Sequence, residues 1–269
     1  MRVHLVQFDI AWENPPANWA TVEAMIDKAS IPPGGLIVLP ELGDVGFSMA
    51  VDRTTGTQSD QWAARLAQRC ACWVLHGWAE MSPSGKASNV AGLAAPNGQI
   101  MGQMTKLHPF SPMKEAQAYA PGTALTLFPE VAGATICPLI CYDLRFPEVF
   151  RAATFAGAEV LVVMANWPAK RAAHWKALAQ ARAIENQTAV LACNRTGADP
   201  NADYCGDSMI ISADGTVIAE AGPEATILSA NLDLQAQASW RQRFPALQDA
   251  RTDWHPMVPV QMAGPQNTT

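Results

Sequence analysis

Cys141 is the residue in this sequence best placed to act as a nucleophile. It follows the apolar run Ala134–Ile140 and leads into Tyr-Asp-Leu-Arg-Phe-Pro, with Pro147 at a position that suits the first turn of a helix. A thiol on such a strand-to-loop turn is held rigidly, and the amide N–H of Tyr142 can point at an oxyanion growing on a carbonyl under attack. Cysteine is also among the most buried residue types. Cys70, Cys72, Cys137, Cys193 and Cys205 read as core for that reason, since none of them ends a strand beside a charged turn.

A thiol with an ordinary pKa of about 8.5 needs a base at neutral pH. The histidines are His4, His76, His108, His174 and His255, and only His108 lies in a polar stretch near another candidate. Glu41, in Leu-Pro-Glu at the mouth of the run Leu36–Leu39, is the better choice, because partial desolvation there would raise a carboxylate's pKa toward a useful value. A surface or helix-start carboxylate is the competing reading. Lys106, in Thr-Lys-Leu-His-Pro-Phe, can supply a cation to an oxyanion, although a lysine taken alone is nearly always a solvated charge. Glu115, in the irregular stretch Lys114–Ala120, can orient Lys106 or a substrate. Asp143, Arg145 and Glu148 are read as pinning the turn after Cys141 through an ion pair rather than reacting. Asn166, Trp167 and Pro168 can line a pocket, and Trp167 serves equally well as packing.

Glu41, Lys106, Cys141 and Asn166 each sit where an apolar run ends, and in open α/β sheets ligands gather at the carboxyl ends of strands. The elements that must hold them alternate. Strands are expected at Val3–Phe8, Leu36–Leu39, Trp73–Trp78, on either side of Pro96-Asn97-Gly98, and at Leu125–Phe128, Ala134–Ile140, Glu159–Ala165 and Ala189–Asn194. A hairpin through Asp214-Gly215 joins Met209–Ser212 to Thr216–Ala219, and Ile227–Leu232 is the last clear strand. Helices are expected around Trp19–Ala29, at Asp60–Arg69, from Pro147 to Ala156 and at Ala172–Asn186, with one short helix in the tail. Mixed βα units and hairpins predict an α/β fold with mixed sheets.

The 269 residues carry 18 Lys and Arg against 24 Asp and Glu, a net charge of −6, and 49% are hydrophobic. That composition excludes a mostly disordered chain, and the acidic balance argues against nucleic acid or an anionic membrane as partner. With no repeat, low-complexity tract or long linker, residues 1–269 read as a single domain with a C-terminal extension from about 245. Asp9 interrupts the N-terminus before a signal-peptide core could form, and the apolar runs are too short to span a bilayer, which predicts a cytoplasmic protein. Six dispersed cysteines without CxxC pairing indicate neither a disulfide framework nor a zinc site, so reduced thiols are expected.

Taken together these segments resemble the nitrilase superfamily of carbon–nitrogen hydrolases. The resemblance rests on Leu39-Pro40-Glu41, on Lys106-Leu107-His108 with Glu115 six residues before Pro121-Gly122, on Cys141 through Glu148, and on Asn166-Trp167-Pro168 followed by His174-Trp175 and Arg182 through Asn186. Cys193-Asn194-Arg195 and Gly206-Asp207-Ser208 add similarity to the branch of bacterial ω-amidases, which hydrolyse the terminal amide of 2-oxoglutaramate or 2-oxosuccinamate. Pro109 departs from the family's usual Leu and removes an amide donor beside Lys106.

The resemblance implies a four-layer α-β-β-α sandwich, a Glu41–Lys106–Cys141 triad, Glu115 as a supporting carboxylate, no cofactor or metal, and association into a homodimer or higher homo-oligomer. It further implies an amidase releasing ammonia from a small carboxylate-bearing ω-amide through a cysteine thioester. A carboxylate-bearing substrate needs a cation, for which Lys170, Arg171 and Arg195 are the candidates, against a solvated surface charge as the favoured reading of each taken alone. The alternatives are an amidase for deaminated glutathione, an N-carbamoyl amide hydrolase, a thiol redox sensor pairing Cys141 with Cys137, and a non-catalytic binding protein on the same fold.

Overall fold

A computed structural model describes residues 1–82, 85–251, 253 and 258–264; His255 and part of the C-terminal extension lie outside them. The first half runs β1 (Arg2–Gln7), α1 (Pro15–Ala29), β2 (Leu36–Val38), α2 (Val51–Thr54), α3 (Ser59–Cys70), β3 (Trp73–Met81), β4 (Ala87–Ala94), β5 (Ile100–Thr105) and α4 (Glu115–Ala118). The second runs β6 (Leu125–Val131), β7 (Ala134–Ile140), α5 (Pro147–Phe155), β8 (Val160–Ala165), α6 (Ala172–Asn186), β9 (Ala189–Asn194), β10 (Thr196–Asp199) and β11 (Ala202–Cys205). It ends with β12 (Met209–Ile211), β13 (Val217–Glu220), β14 (Thr226–Asn231), α7 (Leu234–Arg243) and β15 (Val260–Met262).

Two mixed sheets form, in strand order β14-β1-β2-β3-β4-β5 and β13-β12-β9-β8-β7-β6-β15. Strands β1, β2 and β3 are parallel, as are β7, β8 and β9, and hairpins extend both sets. Alternation along the strands shows how the layers stack, because successive side chains point to opposite faces. Leu36 and Val38 pack with Val160, Val162 and Met164 between the two sheets. Ile37, between them in sequence, turns outward onto Val22 and Ile26 of α1 and Trp62 and Leu66 of α3. Leu161 and Val163 turn the other way, onto Phe150 and Ala153 of α5 and Trp175 and Ala179 of α6. The result is the α-β-β-α sandwich. Strands covered on both faces need apolar side chains at every position, which is why β2 and β8 read as unbroken apolar runs.

The expected elements are present with boundaries shifted by a few residues at most. Four others had no clear sequence signal. The one-turn helix α2 follows the Glu41 loop, the stretch at Lys114–Ala120 holds the one-turn helix α4, the tail contributes β15 beside β6, and a hairpin, β10–β11, prolongs the β9–β12 pair beyond its sheet. Among the described residues no helix is long and apolar enough to cross a membrane.

Candidate active site

Two strands of each sheet deliver the site. Glu41 lies just beyond β2, Lys106 directly after β5, Cys141 directly after β7 and Asn166 directly after β8, so the carboxyl ends of both sheets converge on one point. Glu41 sits on a loop pressed against β3. A side chain at Gly77 would put its Cβ 2.8 Å from the Leu42 nitrogen, so only glycine lets loop and strand approach this closely. Cys141 opens a turn of 3₁₀ helix, Cys141–Arg145, with φ of 48°, a left-handed conformation in which only glycine is at ease. Backbone strain of this kind, of order 1–3 kcal/mol, persists when the surroundings over-determine it. Here Asp143 does so. Its buried carboxylate accepts the N–H of Ile140 at 3.0 Å, the N–H of His108 at 2.9 Å and His108 Nδ1 at 2.8 Å, tying the cysteine turn to the loop after Lys106.

Lys106, Glu41 and Glu115 are each almost wholly removed from solvent, at 1%, 1% and 0% exposure. Lys106 Nζ donates to Glu41 Oε1 at 2.8 Å and to both Glu115 oxygens at 3.1 and 2.9 Å. Asn89 Nδ2 reaches the same two carboxylates, at 2.8 Å to Glu41 and 3.1 Å to Glu115. The second Glu41 oxygen accepts the Asn166 N–H at 3.0 Å, and Glu115 accepts the Phe110 N–H at 2.5 Å. Burial pushes the Glu41 pKa up, but Lys106 and the N–H groups of Asn166 and Asn89 outweigh it and hold the carboxyl below its ordinary value. Burial acts on Lys106 in the opposite sense and is outweighed by Glu115 and Glu41, so the ammonium is kept well above its ordinary pKa. Burial first, and then the Glu41 carboxylate, raise the Cys141 thiol. The resting site is therefore a thiol facing a carboxylate, with an ammonium held in place between two acids.

Above the thiol is a cavity of about 190 Å³. Cys141, Tyr142, Asn166, Trp167, Lys170 and Arg171 line it. Trp167 is buried, donating its indole N–H to the Arg171 carbonyl at 2.8 Å, so it both packs and lines. Arg171 stacks over the Phe110 ring at 5.1 Å. Asn166 Nδ2 donates to the Glu41 carbonyl at 2.6 Å, locking that side chain beside the carboxylate.

Arg195 must be corrected. It does not line the cavity, because its guanidinium is buried elsewhere, on Asp9 Oδ1 at 2.7 Å and on the carbonyls of Ile10, Thr196 and Ala198. Arg145, expected to brace the turn by an ion pair, instead lines the cavity, bonds His174 Nδ1 at 3.0 Å and lies over the Trp167 ring at 5.0 Å. Asp143 pairs with His108 instead. Pro109 costs no hydrogen bond, since the flanking N–H groups of His108 and Phe110 are the ones that Asp143 and Glu115 use. Asn89 was not anticipated; its only signal in the sequence is a polar side chain inside an apolar strand. Among the described residues no group of three or more His, Cys, Asp or Glu is placed to hold a metal ion.

The carbon–nitrogen hydrolase family model matches residues 2–242. The 2-oxoglutaramate amidase of Bacillus subtilis (strain 168) is 37% identical over 255 residues, covering 93% of this chain and 98% of its own. The protein named Omega-amidase YafV of Escherichia coli (strain K12) is 36% identical over 254 residues, covering 93% and 96%. A crystal structure of a CN-hydrolase superfamily protein from Xanthomonas campestris, with an arsenic adduct in its active site, superposes with a TM-score of 0.87 at 31% identity, covering 94% of this chain and 97% of that one.

Proposed function

Since the chain belongs to the carbon–nitrogen hydrolase family, we propose that it works as an ω-amidase, hydrolysing the terminal amide of a small carboxylate-bearing substrate such as 2-oxoglutaramate to the acid and ammonia. The observation that carries this reading is the juxtaposition of Cys141, in the wall of the cavity, with the buried Glu41–Lys106–Glu115 cluster, in a cavity also lined by Arg145, Lys170 and Arg171. Cations in the lining suit an anionic group on a substrate.

In the first half-reaction Glu41 takes the thiol proton as Sγ bonds to the amide carbon. The carbonyl oxygen becomes an oxyanion held by the Lys106 ammonium and the Tyr142 N–H, a donor which, early in a helical turn, is left without an intrahelical partner. Glu41 then returns the proton to nitrogen, the C–N bond breaks, and ammonia leaves a thioester on Cys141. In the second half Glu41 takes a proton from water as the oxygen attacks the thioester. The carbon–sulfur bond breaks, the acid leaves, and the proton goes back to sulfur. Glu115 keeps Lys106 in place throughout. No cofactor enters either half. We further read residues 1–269 as a single domain acting as a cytoplasmic homo-oligomer; the apolar side chains exposed at Phe155 on α5 and Ile184 on α6 are surface that association would cover.

The test is ammonia release from 2-oxoglutaramate, 2-oxosuccinamate, glutamine, asparagine, deaminated glutathione and an N-carbamoyl amide. The α-oxo ω-amides should give the highest kcat/KM, and mass spectrometry after brief exposure should find the acyl group on the Cys141 peptide. A clear preference for another member of the panel overturns the substrate assignment. An adduct elsewhere, or turnover by Cys141→Ala, overturns the chemistry.

A further inference from the structure

Arg195 has no direct part in the cavity, yet its surroundings are elaborately built. It is one of the largest fully buried side chains of the protein, and its cationic fork is occupied by an acid 186 positions away in sequence, Asp9, and by three backbone carbonyls. Two of those carbonyls, of Thr196 and Ala198, belong to β10, the first strand of the hairpin that projects from the β9–β12 edge of its sheet. The acid lies across the same hairpin. Gly197, at φ of 81°, has the Asp9 carboxyl where a Cβ would be, at 2.0 Å, so the carboxylate reaches Arg195 only because residue 197 has no side chain. Asp9 also bridges to Thr196, whose N–H donates to the Phe8 carbonyl at 3.1 Å.

The other side of the hairpin faces the cavity. Asn201, Ala202 and Tyr204 line it. The Tyr204 hydroxyl donates to Asp199 Oδ2 at 2.6 Å, and the other Asp199 oxygen accepts the N–H groups of Asn201 and Ala202 at 2.7 and 2.9 Å, which closes the turn at the hairpin's tip. The Arg195 guanidinium stacks on the Tyr204 ring at 4.4 Å. With its hydroxyl bound and Arg195 against its ring, Tyr204 is fixed at the cavity wall.

We propose that the β10–β11 hairpin is the specificity wall of the cavity, deciding how long an acyl chain fits between Cys141 and the far end, and that Asp9 and Arg195 are positioning residues that set where this wall stands. The proposal deepens the ω-amidase reading and rests on it for the class of substrate. The hairpin prolongs the β9–β12 pair beyond its sheet in the same register, with Ala192 opposite Met209 and Thr196 opposite Cys205, so the sheet fixes its root. A projecting two-stranded arm has little stability of its own, and the position of its free end has to be imposed by contacts outside the ladder. The Asp9–Arg195 clamp imposes it, by anchoring β10 to the chain just after β1.

The experiment is a chain-length profile: kcat and KM for α-oxo ω-amides of four, five and six carbons, and for neutral aliphatic amides of matching lengths, on the full chain. A pocket that measures length discriminates by roughly 10–200-fold per methylene. Arg195→Lys keeps the charge but loses the planar fork, and Asp9→Asn loses the ion pair. Both should flatten the profile to within about threefold, with KM for the preferred length rising at least tenfold while kcat falls much less. If either variant unfolds, Tyr204→Phe removes only the bond to Asp199 and should flatten the profile in the same direction. A profile unchanged in the folded variants, or a loss confined to kcat at every length, overturns the proposal. Should the wild type prefer neutral amides, the ω-amidase reading fails, and the wall is still judged by whether the variants flatten the neutral series.

Discussion

Replacing Lys106 with methionine leaves Glu41 and Glu115 facing each other without their shared cation, in a site where each is almost wholly buried. Removing one member of a buried pair is costly because the survivor's charge remains. A carboxylate can escape by taking up a proton, which bounds the cost. From an ordinary value of 4.5, at 1.36 kcal/mol per pH unit, protonation costs about 4 kcal/mol at pH 7.5 and about 1.4 kcal/mol at pH 5.5. The sign differs between the two proteins. In the wild type the Glu41 pKa is depressed, so its contribution is present above about 4.5 and is lost as pH falls through the folded value. In Lys106→Met the shared proton raises the folded value, so stability is retained in acid and lost as pH rises. The deficit relative to wild type should therefore grow by about 1.4 kcal/mol per pH unit, giving a melting temperature roughly 8–16 °C lower at pH 7.5 but only about 3–6 °C lower at pH 5.5. Thermal and urea unfolding of both proteins across that range reads this directly. Adding Glu115→Gln to Lys106→Met should restore part of the stability at pH 7.5, because the remaining Glu41 keeps its two N–H donors. A deficit below about 1 kcal/mol at every pH, or one that does not change with pH, would refute a buried cluster held together by Lys106.

Glu41→Gln should cut turnover by at least about 10²-fold, through loss of the base in both half-reactions. The same substitution removes a carboxylate that holds the Cys141 thiol up, so thiolate absorbance should titrate at lower pH than in wild type; a midpoint that stays or rises contradicts the charge arrangement described. Because Glu41 acts unprotonated and its pKa is depressed, the acid limb of kcat/KM should lie below about pH 4.5, activity falling as pH drops through the folded value. An acid limb between pH 6 and 7, with the fold intact by circular dichroism, would count against Glu41 as the base. Arg171→Ala should raise KM at least about tenfold for a carboxylate-bearing ω-amide and by much less for a neutral amide of equal length, since a lost charge-assisted bond is worth about 1.5–3 kcal/mol. Equal effects on both would remove Arg171 from substrate recognition.

Glu41, Lys106 and Cys141 were legible because the physics that makes strands also marks their ends. A run such as Leu36–Leu39, covered on both faces, has to be apolar, so the first carboxylate after it stands out. Asn89 was not legible. It sits within β4, and it reaches the two carboxylates only because the antiparallel register brings Lys106 alongside, with the Lys106 N–H on the Asn89 carbonyl at 2.9 Å. Register depends on pairing between strands and leaves no mark on either strand alone. Arg195 failed for a related reason. A cation one residue past β9 looks like Lys106 one residue past β5, and what sends it away from the cavity is Asp9, at the far end of the chain. The β10–β11 hairpin escaped because four-residue polar strands carry no periodicity to detect.

In the proposed mechanism the pairing of two carboxylates with one ammonium beside the cavity accounts for how a half-buried thiol can react. At rest the cluster holds one ammonium and two carboxylates, a net charge of −1, and a thiolate beside them would bring a second negative charge into a site that water barely reaches, which is why the thiol is held up. In the proposed reaction the proton of Cys141 moves onto Glu41 while the electrons of the new bond appear on the carbonyl oxygen. One negative charge vanishes from Glu41 as another forms beside Lys106, and the sum stays at −1. No net charge is desolvated on the way to the tetrahedral intermediate, and the ammonium exchanges one anionic partner for another without moving. Glu115 makes that exchange workable: its two bonds to Nζ keep Lys106 anchored during the interval in which Glu41 is neutral and can no longer hold it.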